Sequence, residues 1–480
     1  MAAVFLRMWN NFKTRPDIWF FGGFLLVFTL SVRKVFFFYP ILNNFNEYTG
    51  IYLYLSDIFL ILTILTWFYT ILCNKNYKLS SYIQFFSQQE THVLILVLIV
   101  WMFMSIFWSG NTNLALFRAL KLAEFGLFFL YITYNAFYNK SIIHILIRFI
   151  IILGFIQAII GISQAILQHS VGIFLFKESL VSPNIDGVAK IVLFGHKFIR
   201  VYGLFPHPNI FGGFLLMSIV LTFVYGKIFY FDANKPKLSY KFKLFHVKQF
   251  EFLRNKILMY LILAIQIIAL LLTFSKSAML GLFCVVYYIG YKIVSHGTTT
   301  SVKKSIKNFW RYLIAIIIGL FLLTILGFNI NSLLLKSFNE RLVYLIVSCE
   351  TIINNPIVGV GIGNFVSEMQ KYSPVFLTDW QYQPVHNVFL LIWSELGIVG
   401  LVLFILFLWK IFDFNSIVSH ETISKKKKRV VFRAIMFGFV IIMLFDHYFW
   451  DIQQGQIMLW MVLGFLAGSS LALSLKTTAS

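Results

Sequence analysis

Arginine, glycine and histidine stand together in one polar interval of this chain, in a pattern suited to binding an anion. The interval runs from Asn331 to Asn387, between two long apolar runs. It holds Arg341, then Asn355-Pro356-Ile357-Val358-Gly359-Val360-Gly361-Ile362-Gly363-Asn364-Phe365, then His386-Asn387. A guanidinium stays charged at any relevant pH and binds phosphate oxygens in pairs. Gly359, Gly361 and Gly363 permit a tight backbone path or the close approach of a ligand. A neutral imidazole can take a proton from a hydroxyl near neutral pH. At a membrane surface this set describes anionic-headgroup chemistry rather than a simple pore.

Further ionisable residues extend the candidate site. Arg200 stands in Arg200-Val201-Tyr202-Gly203-Leu204-Phe205-Pro206-His207-Pro208-Asn209, where a polar interval meets an apolar run. Arg200 or Arg341 alone is read more simply as a headgroup anchor. His386 alone reads equally well as an interfacial histidine with a structural hydrogen bond, and Asn387 as a helix cap. Arg118, Lys121 and Glu124 recur at three-residue spacing in an apolar run. Ionisable groups there are costly, so they either pair with one another or enlarge a cationic pocket. Glu395 must likewise face protein or water. Gln157, Gln164, the Thr273-to-Ser277 turn and the group Asp446, His447, Asp451, Gln453 and Gln454 read as structural polar groups.

The elements that must position these residues follow from composition. The chain has 480 residues, of which 59% are hydrophobic and 12% charged. A soluble domain carries roughly a quarter charged residues. Continuous apolar runs of about 20 residues mark membrane-spanning helices, because only helices and closed barrels satisfy the backbone in lipid. The pattern predicts an all-α, polytopic transmembrane bundle of about twelve spans. They lie near 17–37, 51–73, 92–108, 114–137, 142–168, 207–230, 257–274, 277–294, 312–330, 387–412, 430–449 and 455–474. A short helix ending before Pro356 is expected inside the 331–386 interval.

The net charge is +22. In a bundle of this kind basic residues concentrate in cytoplasmic loops and set orientation, so nucleic acid is not implied. Arg7, Lys13 and Arg15 and the segments Lys235–Lys256, Lys303–Arg311 and Lys425–Arg429 fall on one side. With that side cytoplasmic, both termini are cytoplasmic and the intervals 169–206 and 331–386 face outward. Met1–Phe12 is too short and mixed for a cleavable signal peptide, and the run from Ile18 reads as a retained span. Cys73, Cys284 and Cys349 are widely spaced and form no metal or redox motif. The sequence is read as one integral membrane domain over 1–480.

No phosphate-binding nucleotide loop, zinc-protease helix or serine-nucleophile elbow is present in the sequence. An enzyme built on this chain therefore calls for a preactivated substrate, and a lipid-linked diphosphate sugar meets that need.

Four patches, in order, resemble the O-antigen ligase and O-antigen polymerase superfamily of bacterial membrane glycosyltransferases. Arg200 to Asn209 is like the family's Arg-x-x-Gly-x-x-x-x-Pro-Asn approach to a span. Leu272-Thr273-Phe274-Ser275-Lys276-Ser277 is like its Thr-x-Ser-Arg turn, with Lys276 where the family usually has Arg. Arg341, Asn355-Pro356 and the Gly359-to-Phe365 segment form the third patch. His386-Asn387 with Glu395-Leu396-Gly397-Ile398-Val399-Gly400 forms the fourth. The resemblance covers roughly 200–405, including the 331–386 interval.

The resemblance implies the GT-C type of membrane glycosyltransferase fold. It further implies an undecaprenyl-diphosphate-linked glycan donor, used at the outer face of a bacterial inner membrane without metal or other cofactor. By residue-for-residue match, Arg200 and Arg341 would hold the diphosphate and His386 would activate or position the acceptor hydroxyl. Arg118, Lys121, Asn387, Gly361 and Gly363 complete the expected substrate-binding set. The acceptor stays open among a lipid A core sugar, another repeat unit and a protein Ser or Thr, with the ligase type preferred. The rival class is a transporter or flippase for a lipid-linked solute, which predicts internal repeats; the two halves show none.

Overall fold

Apolar runs without period-two alternation close their hydrogen bonds within one segment, and helices dominate the computed structural model of the chain. It describes residues 15–73, 89–138, 140–193, 195–231, 255–295, 330–413 and 423–477. The expected span at 312–330, the basic segment at 303–311, and nearly all of the one at 235–256 lie outside the described residues, as do Arg7 and Lys13.

In chain order the elements begin with α1 (Pro16–Val27), β1 (Arg33–Phe38), β2 (Gly50–Tyr54), α2 (Leu55–Cys73), α3 (Glu90–Met104), α4 (Thr112–Tyr138) and α5 (Lys140–Leu167). The middle of the chain supplies β3 (Lys190–Leu193), β4 (His196–Ile199), α6 (Pro208–Phe231), α7 (Lys256–Leu272), α8 (Lys276–Ser295), α9 (Ile330–Asn354) and α10 (Phe365–Tyr372). The last elements are α11 (Val388–Asp413), α12 (Ile423–Met443), the single turn α13 (Tyr448–Asp451) and α14 (Gln453–Thr477). Among the described residues five helical segments are long and apolar enough to cross a membrane: Leu55–Cys73, Glu90–Trp108, Ile142–Leu167, Pro208–Tyr225 and Val388–Phe412.

The all-α expectation needs one correction. The run at 17–37 is not a single helix: α1 stops at Val27, and 33–38 pairs antiparallel with 50–54, from Arg33↔Tyr54 to Phe38↔Gly50, across a bulge between Val35 and Phe37. Arg33-Lys34 interrupts the apolar run, and the Val and Phe residues after it favour strand. The connecting turn is closed by Leu42 and Asn43 at positive φ and an Ile41–Asn44 bridge. A second hairpin pairs β3 with β4, from Lys190↔Ile199 to Leu193↔His196. The interval 331–386 is more helical than expected. Its first helix, α9, is 25 residues long and stops ahead of Pro356.

Two helices sit at the centre. The Pro208–Tyr225 segment of α6 is 83% buried, and every residue from Ile457 to Leu466 in α14 is buried. A helix apolar all round is enclosed by other helices rather than by lipid alone. Between apolar helices in lipid, close packing supplies much of the attraction. α14 meets α4 through Gly464 and Gly468, where a Cβ would collide with Ile132 and with the Thr133 carbonyl. α11 carries the other consequential glycine. Gly397 has φ 67° and ψ −173°, a conformation open to glycine alone, and it breaks the helical ladder. The freed carbonyls of Ser394 and Glu395 accept from Val360 N (2.9 Å) and Gly361 N (2.8 Å). Leu396 O accepts from Trp101 Nε1 at 2.9 Å.

Candidate functional site: a cation-lined cleft with two histidines

The Arg200 loop is built from the inside of the bundle outward. Two buried glutamines of α5 hold the backbone after it. Gln164 Oε1 accepts from Tyr202 N and Gly203 N, both at 2.9 Å. Its Nε2 donates to Gly203 O at 2.9 Å, and Gln157 Oε1 accepts from Leu204 N at 2.8 Å. Val201 N donates to Leu272 O at 3.2 Å, which joins this loop to the turn between α7 and α8. Arg200 Nε then donates to Thr273 O at 2.7 Å, and its Nη2 donates to Asn209 Oδ1 at the start of α6. Asn209 Nδ2 in turn donates to Asp446 Oδ2 at 2.6 Å. The Arg200–Asn209 segment, the turn between α7 and α8, and Asp446 therefore converge on one point.

α9 and the start of α11 close the opposite side. His386 stacks on Tyr344, with ring centroids 5.6 Å apart and planes 12° apart. Arg341 lies three residues before Tyr344, so the two share a helix face. The Arg341 guanidinium is exposed, and its charge reaches Arg200, Lys276 and His386. His386 meets His447 edge-on at 5.2 Å, and His447 meets Tyr48 at 5.6 Å. His447 Nδ1 lies 2.9 and 2.8 Å from the two oxygens of Asp451.

The electrostatics follow from this packing. Burial, then the charges of His447 and Arg341, push the His386 imidazole down to about 3 against the pull of Asp446, so it is neutral at physiological pH. Burial and Arg200 likewise push His207 down to about 3. Burial would also lower His447, but the Asp451 and Asp446 carboxylates outweigh it and hold the ring above the ordinary imidazole range. Burial alone would raise Asp446; its histidine neighbours and the Asn209 bond bring it below the usual carboxylate range. Burial lowers Arg200 to about 10, which leaves it charged. Among the described residues Arg200, Lys276 and Arg341 form no ion pair. The cleft thus offers an anion three cations, one neutral imidazole and one carboxylate-supported imidazole.

The other expected site residues have protein partners. Arg118 donates to the carbonyls of Asp451 (2.8 Å) and Tyr48 (3.2 Å). It braces the back of the cleft and, with Gly363, Glu395 and Trp450, lines a small cavity there. Lys121 is buried between Asp57 (2.6 Å) and Glu124 (3.0 Å), the pairing alternative noted above, enlarged by a carboxylate from α2. Asn387 Oδ1 accepts from Leu390 N at 3.0 Å and caps α11. Gly361 and Gly363 have φ values of 93° and 72°, and a Cβ on them would collide with Ser109 and Arg118. Their glycine character serves the seating of this loop on α4 and α11. Glu395 is buried and accepts from Trp450 Nε1 at 3.0 Å. Among the described residues no group of three or more His, Cys, Asp or Glu is arranged to hold a metal ion, and Cys73, Cys284 and Cys349 are free thiols.

Sequence reasoning did not single out Tyr48 or Tyr344, and it took Asp446, His447 and Asp451 as structural. The visible signal was the density of polar residues between the last two apolar runs, on the same side as the 331–386 interval.

Fold and site together describe a helical protein with several helices long and apolar enough to cross a membrane, and with Arg200, Lys276, Arg341, His386 and His447 gathered outside them. Residues 261–405 match the family model described as O-antigen ligase, which supports the O-antigen ligase superfamily for this chain. Arg341, His386 and Lys276 lie inside the matched region; Arg200, Asp446 and His447 lie outside it and reach the cleft through the fold. No curated protein matches the chain.

Proposed function

We propose that this protein is a membrane glycosyltransferase of the O-antigen ligase type. It moves a glycan from an undecaprenyl-diphosphate carrier to a hydroxyl acceptor at the outer face of a bacterial inner membrane. The observation that carries this reading is the gathering of Arg200, Lys276 and Arg341, whose charges act on one another, with Arg341 also acting on a neutral His386. Cations aimed at a leaving diphosphate stabilise the charge that develops as the glycosidic bond breaks. His386 accepts the proton of the attacking hydroxyl. Its basicity is low because burial and positive neighbours disfavour imidazolium; a bound diphosphate offsets those neighbours and strengthens the base where the reaction needs it.

The test is glycan transfer by protein reconstituted in vesicles, supplied with a polyprenyl-diphosphate oligosaccharide. Lipid A core, excess donor and a Ser/Thr-rich protein are offered separately. Transfer by the wild type, abolished in His386→Ala, is the expected result. The acceptor consumed separates ligase from polymerase and protein oligosaccharyltransferase. Movement of the lipid-linked glycan across the bilayer without transfer would overturn the reading in favour of a flippase.

A further inference from the structure

Each histidine of the cleft has a different environment, and the difference assigns work to the second one. His386 has an aromatic ring on one face and no carboxylate within hydrogen-bonding distance; the backbone at Pro384 supports its ring instead. His447 is 6% exposed and has Nδ1 committed to both oxygens of Asp451. That leaves Nε2 as its remaining hydrogen-bonding atom. The clamp is itself supported. His447 and Asp451 flank a single helical turn, Arg118 fixes the Asp451 carbonyl at 2.8 Å, and Trp450 is tied to Glu395 at 3.0 Å. Tyr48 packs against the ring from a third side.

Two imidazoles in contact do not both carry a proton cheaply, so the one with the carboxylate holds the charge and the other stays neutral. We propose that His447, clamped by Asp451, is a second functional histidine of the transfer site and that its Nε2–H binds the diphosphate of the donor. This rests on the transferase reading above and adds a residue outside the family-matched region. In the step the acceptor oxygen forms a bond to the anomeric carbon of the glycan. The anomeric C–O bond to the diphosphate breaks, and its electron pair goes to the diphosphate oxygen. The hydroxyl proton passes to His386, where the negative charge of the departing diphosphate offsets the second imidazolium. His447 keeps its proton and meets that negative charge together with Arg200 and Arg341. Asp451 acts as a positioning residue, setting which nitrogen of His447 faces the cleft.

The experiment measures binding of undecaprenyl diphosphate and undecaprenyl monophosphate to the full-length protein in nanodiscs, and glycan transfer at saturating donor. Wild type, His447→Gln, His447→Lys and Asp451→Asn are compared, with thermal melting as the folding control. His447→Gln is expected to weaken undecaprenyl diphosphate binding about 10–100-fold, the loss typical of one charge-assisted hydrogen bond. The monophosphate should be affected less. His447→Lys restores a cation and recovers part of the diphosphate affinity, which a purely structural histidine would not show. It also serves as the test if His447→Gln does not fold. Asp451→Asn is expected to fall between wild type and His447→Gln. Unchanged diphosphate affinity in the folded His447 variants, with wild-type transfer intact, would overturn this proposal and leave the transferase reading standing. If the wild type neither binds the diphosphate nor transfers glycan, both fall together.

Discussion

Two clusters of ionisable residues sit within this bundle, and they are built on opposite principles. In the first, Lys121 is held between Asp57 and Glu124, with Gln453 donating to Asp57 as well. In the second, Arg200, Lys276 and Arg341 share a cleft without an ion pair among the described residues, while Asp446 and Asp451 are taken up by Asn209 and His447. A buried charge is tolerated only when it is paired. Lys121 meets that rule within the protein, which fits a scaffold role. Arg341 and Lys276 are exposed and Arg200 is held by Thr273 O and Asn209, so among the described residues their charge is free of carboxylate partners, as the proposed diphosphate site requires. Both clusters contain basic residues in or beside apolar runs, so residue type alone does not distinguish them.

Breaking the cleft is expected to have the largest effect on activity. His386→Ala should lower the transfer rate about 10²–10⁴-fold, the range for losing a general base. Arg341→Ala should cost about 10²–10³-fold, as for removal of one transition-state charge contact. Both proteins should melt close to wild type, because Arg341 is exposed and His386 carries no ion pair. Single-turnover transfer in vesicles checks this; wild-type rates in both variants would remove the cleft as the site.

The scaffold cluster should respond in the opposite way. Asp57→Asn removes one partner of a buried pair and is expected to destabilise the bundle by about 3–5 kcal/mol. Transfer per folded molecule should stay near wild type. Thermal melting in detergent beside activity normalised to folded protein checks this. Lost activity without lost stability would move Lys121 back into the substrate-binding set.

The histidines sharpen the contrast through pH. His386 sits at about 3 in the folded protein, below the ordinary imidazole value of about 6.5. Its contribution to stability is therefore present above about 6.5 and is lost as pH falls toward 3. His447 has the opposite sign. Its raised folded value means that its contribution is complete below about 6.5 and is lost as pH rises through that raised value. The groups acting on His447 are Asp451, Asp446 and Glu47, with His386 and Tyr48 against its ring. Melting temperature as a function of pH should show the acid-side loss reduced in His386→Gln and the alkaline-side loss reduced in His447→Gln. A curve unchanged in both would contradict the divided protonation.

The smallest effect is expected at Asn387. Its cap of α11 is worth about 1 kcal/mol, so Asn387→Ala should lower the melting temperature slightly and Asn387→Ser should restore it. A loss of donor affinity in Asn387→Ser would show a direct role in binding that the cap geometry does not require.

Much of this protein is written into its sequence by solvent physics. Long apolar runs have no option in lipid but to become helices, so the existence of most helices, the stop of α9 ahead of Pro356 and the membrane class follow from composition and spacing. Arg200, Arg341 and His386 stood out because charged and polar groups at the ends of such runs must face water, protein or a ligand, and the family resemblance, not solvent physics, singled them out as a set. Local pattern could not specify which of them meet. The strand at 33–38 lies within an apolar run, and its pairing with 50–54 depends on a partner twelve residues further on. Lys121 and Arg118 differ by one helical turn, yet one is neutralised by Asp57 from α2 and the other binds carbonyls of Tyr48 and Asp451. Asp446, His447 and Asp451 lie far along the chain from Arg200 and acquire their chemistry only when α6, α11 and the α12–α14 turn converge. Sequence determined which groups had to be satisfied; the tertiary structure decided which were satisfied by one another and which positive charges remained for an anion, because a partner's charge acts through space and takes no account of separation along the chain.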